Sequence, residues 1–140
     1  MRTERFEFPG GDGVKLAARY DLPDGPPRAT ALFAHCFTCG KDIAAARRIA
    51  QRLTHAGVGV LRFDFTGLGH SKGEFANTTF QSNVADLLRA ADWLREHRKA
   101  PSILIGHSLG GAAALAAAPE MPEVNAVVSI AAPFEPGHVL

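Results

Sequence analysis

The run Gly106-His107-Ser108-Leu109-Gly110-Gly111 lies between a short apolar stretch, Ser102-Ile103-Leu104-Ile105, and an alanine-rich one, Ala112–Ala118. A G-x-S-x-G pattern between a buried strand and a helix is the signature of a nucleophile elbow, a tight turn that holds a serine in strained geometry. Gly106 and Gly110 let the backbone pass close to itself, and the Ser108 hydroxyl is then presented at the carboxyl end of a sheet. This hexapeptide therefore dictates strand, turn and helix in that order. It also makes Ser108 the first candidate for chemistry.

A chain of 140 residues with 46% hydrophobic and 21% charged residues is long enough for one ordinary soluble domain with a real core. A net charge of +1 gives no electrostatic reason to expect nucleic acid or an anionic membrane as partner. No apolar run approaches the roughly 20 residues of a membrane span. Met1-Arg2-Thr3-Glu4-Arg5 leads straight into alternating residues without the apolar centre of a signal peptide. The two cysteines, Cys36 and Cys39, are too close to frame a secreted disulfide scaffold. A reducing cytoplasm is the expected location.

Thr3–Phe8 and Val14–Tyr20 alternate in polarity around Pro9-Gly10-Gly11-Asp12-Gly13 and predict an antiparallel hairpin. Asp21–Arg28, with three prolines, reads as a connecting loop. Thr30–Ala34, Val58–Phe65, Ser102–Gly106 and Asn125–Ala131 read as strands buried on both faces, as parallel strands are. Ile43, Ala46, Ile49, Ala50 and Leu53 recur at helical spacing and stop before Gly57, a C-terminal cap. Phe80, Val84, Leu87, Leu88, Ala91 and Leu94 define a second helix, with Thr78 and Gln81 offering a capping box. Leu109–Ala118 predicts a third, close-packed helix that ends at Pro119. The expected fold is one doubly wound α/β domain, a mostly parallel sheet with an N-terminal antiparallel hairpin.

Three motifs, each at the carboxyl end of a predicted strand, resemble the α/β-hydrolase superfamily. They are His35-Cys36-Phe37, where many members carry His-Gly-x; Asp64-Phe65-Thr66-Gly67-Leu68-Gly69-His70-Ser71, similar to D-x-R-G-x-G-x-S with Thr66 in place of arginine; and the turn at Ser108. The resemblance covers essentially the whole chain. The stretch His35-Cys36-Phe37-Thr38-Cys39-Gly40-Lys41-Asp42 further resembles the hydrolase half of bacterial hydrolase–OsmC fusion proteins, although no OsmC-like segment is present.

A serine hydroxyl is a poor nucleophile at neutral pH and needs an adjacent base, usually a histidine held by a carboxylate. The oxyanion that forms needs two preorganised donors, one being the N–H of Leu109, directly after the nucleophile. The resemblance implies that the Phe37 N–H is the other. Cys36 in place of glycine bears on that loop's geometry, since a Cβ narrows the accessible backbone conformations. The resemblance also implies that His35 orients loops and that His107 fills the turn, flanking the site without acting as base. Asp64 is expected to brace the Thr66–Ser71 loop, and His55, His70 and His97 to sit on the surface or in loops. Cys36-Phe37-Thr38-Cys39 is also a C-x-x-C, open to a redox reading, but it supplies only half of a structural zinc site. Gly67-Leu68-Gly69 lacks the third glycine of a dinucleotide motif, so neither cofactor nor metal is expected.

In the family order an acid and then a histidine follow the serine. Downstream of Ser108 stand Glu120, Glu123, Glu135 and His138. Glu120 and Glu123 occupy a helix-to-strand connection, at the end of the sheet away from the nucleophile. Glu135 and His138 follow the last strand on a proline- and glycine-bearing tail. These are not expected to complete a triad, and residues 1–140 are expected to be the N-terminal portion of a longer hydrolase domain, weak or inactive alone. The expected function is acyl-ester hydrolysis of a small-molecule substrate through Ser108. The alternative is a non-hydrolytic scaffold or thiol-redox module tied to an OsmC-type domain. Ala126-Val127-Val128-Ser129-Ile130-Ala131 is β-prone and uncharged, which predicts self-association through the sixth strand.

Overall fold

A computed structural model describes residues 2–35, 41, 44–66 and 80–130, without the Leu109 side chain. Strands β1 (Arg2–Pro9) and β2 (Lys15–Leu22) form the expected hairpin, in register from Arg2 opposite Leu22 to Pro9 opposite Lys15. They are followed by β3 (Ala29–Ala34), α1 (Ala44–His55), β4 (Val58–Phe63), α2 (Phe80–His97), β5 (Ile103–His107), α3 (Leu109–Ala117) and β6 (Ala126–Ile130). A single 3₁₀ turn at Ala118–Glu120 closes α3, where Pro119 cannot continue the helix. One six-stranded sheet runs β1-β2-β4-β3-β5-β6, antiparallel over its first three strands and parallel from β4 onward.

Period-two alternation sends Phe8, Leu16, Ala18, Tyr20, Leu61 and Phe63 to one face, where α2 and α3 cover them. Ala31, Phe33, Val60 and Ile105 point to the other face and pack against Ala46 and Ala50 of α1. The result is a three-layer sandwich whose parallel strands end on the side where α1, α2 and α3 begin. Helix α1 stops as predicted: Gly57, at φ 89°, donates its N–H to the Thr54 carbonyl. Among the described residues no helix is long and apolar enough to cross a membrane.

Three expectations are corrected. Asp21 and Leu22 extend β2 rather than opening a loop, and Asp21 is fully buried. On α2 the buried stripe is Asn83, Asp86, Leu87, Ala90, Ala91 and Leu94, while Phe80, Val84 and Leu88 are only partly covered. The predicted burial of every parallel strand fails for β6, which is exposed along its length and is the last strand of the sheet that the described residues form. The capping box at Thr78 lies outside the described residues.

Candidate active site

Strand β5 ends at His107, and Ser108 turns the chain into α3. Ser108 has φ 58° and ψ −125°, and it alone among the described non-glycine residues has positive φ. An L residue there bears steric strain of order 1–3 kcal/mol, tolerated only when its surroundings hold it. They do so from both sides. The Ser108 N–H donates to the Ile130 carbonyl at 2.7 Å, and its own carbonyl accepts from Gly111 N–H at 2.9 Å. The Ser108 side chain makes no capping hydrogen bond to the helix it precedes.

Close approach explains the glycines. A Cβ on Gly110 would collide with the carbonyl oxygens of Ala34 and His35, and one on Gly106 with the backbone of Gly110 and Gly111. The first turn of α3 is thus pressed against the end of β3. Leu109 is the first residue of α3, where a backbone N–H has no intrahelical acceptor. Phe37, the other expected donor, lies outside the described residues, as do Cys36 and Cys39.

Beside this turn the ends of β3 and β4 carry a buried polar chain. His35 is fully buried, its ring edge-on to Phe65 at 5.2 Å and its Nε2 3.6 Å from Asp64 Oδ1. Asp64 accepts from the Lys41 backbone N–H and from Lys41 Nζ, both at 2.8 Å. Arg62 donates through Nη1 to the Lys41 carbonyl, and through Nε (2.7 Å) and Nη2 (3.1 Å) to Asp21. Asp64 therefore fastens Lys41 and lies against His35. Thr66 donates its N–H and Oγ1 to Asp86 Oδ2 at 3.0 and 2.8 Å, while the rest of the loop that Asp64 was expected to brace, residues 67–71, lies outside the described residues. Asp86 Oδ1 accepts from the Gly11 N–H at 3.0 Å, tying the hairpin turn to the same end of the sheet.

The structure brings together Ser108, Leu109, His107 and His35 at the carboxyl ends of β3 and β5, with His107 half-buried as the last residue of β5. His55 and His97 close α1 and α2, away from Ser108. Glu123 pairs with Arg95 in the last turn of α2, and neighbouring Asn125 donates to Ser102 before β5 begins, so this connection sits at the far end of the sheet as expected. Glu135, His138 and His70 lie outside the described residues. No group of three or more His, Cys, Asp or Glu able to hold a metal occurs among the described residues.

Asp21, Arg62 and Asp86 were not singled out from the sequence. For Arg62 and Asp86 the signal was present, a charged residue at a core-facing position of a strand or helix, since such groups are buried only when paired.

The strand order, the hairpin and the strained serine turn define an α/β hydrolase. The serine aminopeptidase S33 family matches residues 25–139, and the chain belongs to that family. Rat monoglyceride lipase (Rattus norvegicus) is 34% identical over 113 residues, 79% of this chain and 37% of that protein. A monoacylglycerol lipase of Mycolicibacterium smegmatis is 26% identical over 133 residues, 94% of this chain and 47% of the lipase. The esterase domain of a Rhodothermus marinus protein superimposes with a TM-score of 0.82 at 50% identity, covering 99% of this chain and 54% of that one. The chain thus spans between about a third and a little over half of the length of these relatives.

Proposed function

We propose that this chain carries the nucleophile-bearing part of an ester hydrolase, with Ser108 at a nucleophile elbow attacking the acyl carbon of a small-molecule carboxylic ester. The observation that carries this reading is the positive φ of Ser108 at the β5–α3 junction, with the side chain released from helix capping. Strain at a polar residue in a helix-capping position has no structural benefit unless the hydroxyl is needed elsewhere. Attack by Oγ gives a tetrahedral oxyanion, stabilised by the Leu109 N–H at the start of α3 and by the Phe37 N–H. Collapse expels the alcohol and leaves an acyl-enzyme that water then hydrolyses. On this reading the general base and its carboxylate come from outside the described residues. The ester-cleaving names of the relatives support the substrate class.

The second reading, a non-hydrolytic or thiol-redox partner of an OsmC-type domain, rests on the wording of residues 35–42, where Cys36 and Cys39 stand. One experiment separates the two. A fluorophosphonate probe added to the full-length protein is expected to label Ser108, and Ser108→Ala to abolish both labelling and cleavage of a short-chain aryl ester. Absence of labelling in the folded parent favours the second reading.

A further inference from the structure

We propose that the outer face of α1 is a docking ridge for an acidic helical segment of a partner protein. Helical geometry sends Ala46, Ala50 and Thr54 inward, where they are buried. Arg47, Arg48, Arg52 and His55 are left on the exposed side, and the helix contains no acidic residue. Arg48, Arg52 and His55 stand four and three residues apart, so they share one stripe about 10 Å long. Arg28 stands at the end of that stripe, its Nη1 donating to the Ala56 carbonyl at 3.3 Å. Lys99 follows, with Nζ donating to the Arg28 carbonyl at 3.5 Å.

Stability does not account for this face. The helix dipole favours Arg52 and His55 in the last turn but not Arg47 and Arg48, and Arg48 repels Arg52 one turn away. The arginines of α2 are used differently: Arg89 and Arg95 pair with Asp92, and Arg95 also with Glu123. Among the described residues Arg47, Arg48 and Arg52 make no such pair. Shape and composition then select the occupant. The cavity beside the ridge, about 100 Å³ between Pro23, Asp24, Gln51, Thr54 and His55, has a carboxylate in its wall that repels a small anion. Exposed positions of α1 hold only alanine, arginine, glutamine and histidine, so nothing large and apolar anchors the face in a bilayer. Nor do they offer a Trp, Tyr or Phe on which a nucleic-acid base could stack. The net charge of +1 adds no long-range pull on a polyanion. A guanidinium instead meets a carboxylate through two parallel N–H···O bonds. Glutamates three and four residues apart on a partner helix repeat the spacing of Arg48, Arg52 and His55, so the two can pair charge by charge.

The test uses the full-length protein and two fluorescent helical peptides of equal composition. One carries its glutamates three and four residues apart on a single face, and the other has them spread around the helix. By fluorescence anisotropy at low salt the first is expected to bind about 10-fold more tightly than the second. A variant carrying both Arg48→Gln and Arg52→Gln should lose that advantage. A control carrying Lys15→Gln and Arg89→Gln, which removes the same charge elsewhere, should keep it. Circular dichroism and thermal unfolding establish that both variants are folded. Absence of binding, equal binding of the two peptides, or equal loss in the control overturns the proposal. So does tighter binding to phosphatidylcholine–phosphatidylserine vesicles or to duplex DNA that the α1 variant loses, because the face would then serve a membrane or a nucleic acid.

Discussion

Ser108 and Gly110 show opposite uses of a missing or present Cβ within three residues. Gly110 is required because backbone carbonyls occupy the space a side chain would need. Ser108 is kept although its backbone would be easier for glycine. Ser108→Gly should therefore raise stability by about 1 kcal/mol, less than the full strain because glycine also loosens the unfolded chain. Urea unfolding at an unchanged m-value measures this, and a lower midpoint would sink the strain argument. The turn was legible from glycine spacing because steric exclusion is local. The partners of Arg62 were not, since Asp21 and Lys41 are brought to it only by strand pairing and by the loop after β3.

At the level of elements, the far end of the sheet is fastened by ion pairs. Arg95, in the last turn of α2, joins Asp92 at 2.8 Å and Glu123, before β6, at 2.7 Å. The hydrogen bond from Arg95 lowers the Glu123 pKa from 4.5 to about 2. A carboxylate depressed in the folded state stabilises above its unfolded pKa and loses that contribution as pH falls through the folded value. The difference in Tm between the parent and Glu123→Gln should accordingly be present at neutral pH and shrink below about pH 4.5. It should fade out only as pH falls through about 2. Thermal unfolding across this range at low salt checks it, and a difference that does not change with pH counts against the pairing. Both side chains are partly exposed, so the effect is small and screened by salt. The pairs also show what helical periodicity leaves out. The spacing of Leu87, Ala91 and Leu94 identified α2, but Asp86 is also turned inward, where it accepts from Gly11 and Thr66, and Asn83 is buried on the same stripe.

Among the described residues, one edge of the sheet is covered and the other is open. Trp93 of α2 stacks on Phe6 of β1 at 4.0 Å, and Arg98 pairs with Glu4, so the first edge is tied to a helix. At the other edge Val127, Val128 and Ile130 are 38–45% exposed, with Leu115 of α3 54% exposed. An uncharged edge is self-complementary, because antiparallel pairing of two identical strands satisfies the backbone groups of both. The 140-residue chain in solution is therefore expected to self-associate through β6, and a clean monomer in solution scattering at high concentration would refute this. The doubly wound layout was legible because alternating apolar runs report layers, yet β6 has the same composition as its buried neighbours. Position in the sheet, set by strands far away in sequence, decides which apolar run is covered. The central place of β3 has a kinetic consequence as well. It pairs with β4 soon after both are made, but its other edge waits for β5. During synthesis at about 5–20 residues per second that interval lasts several seconds, in which an unpaired strand edge is open to misassociation before the serine turn exists.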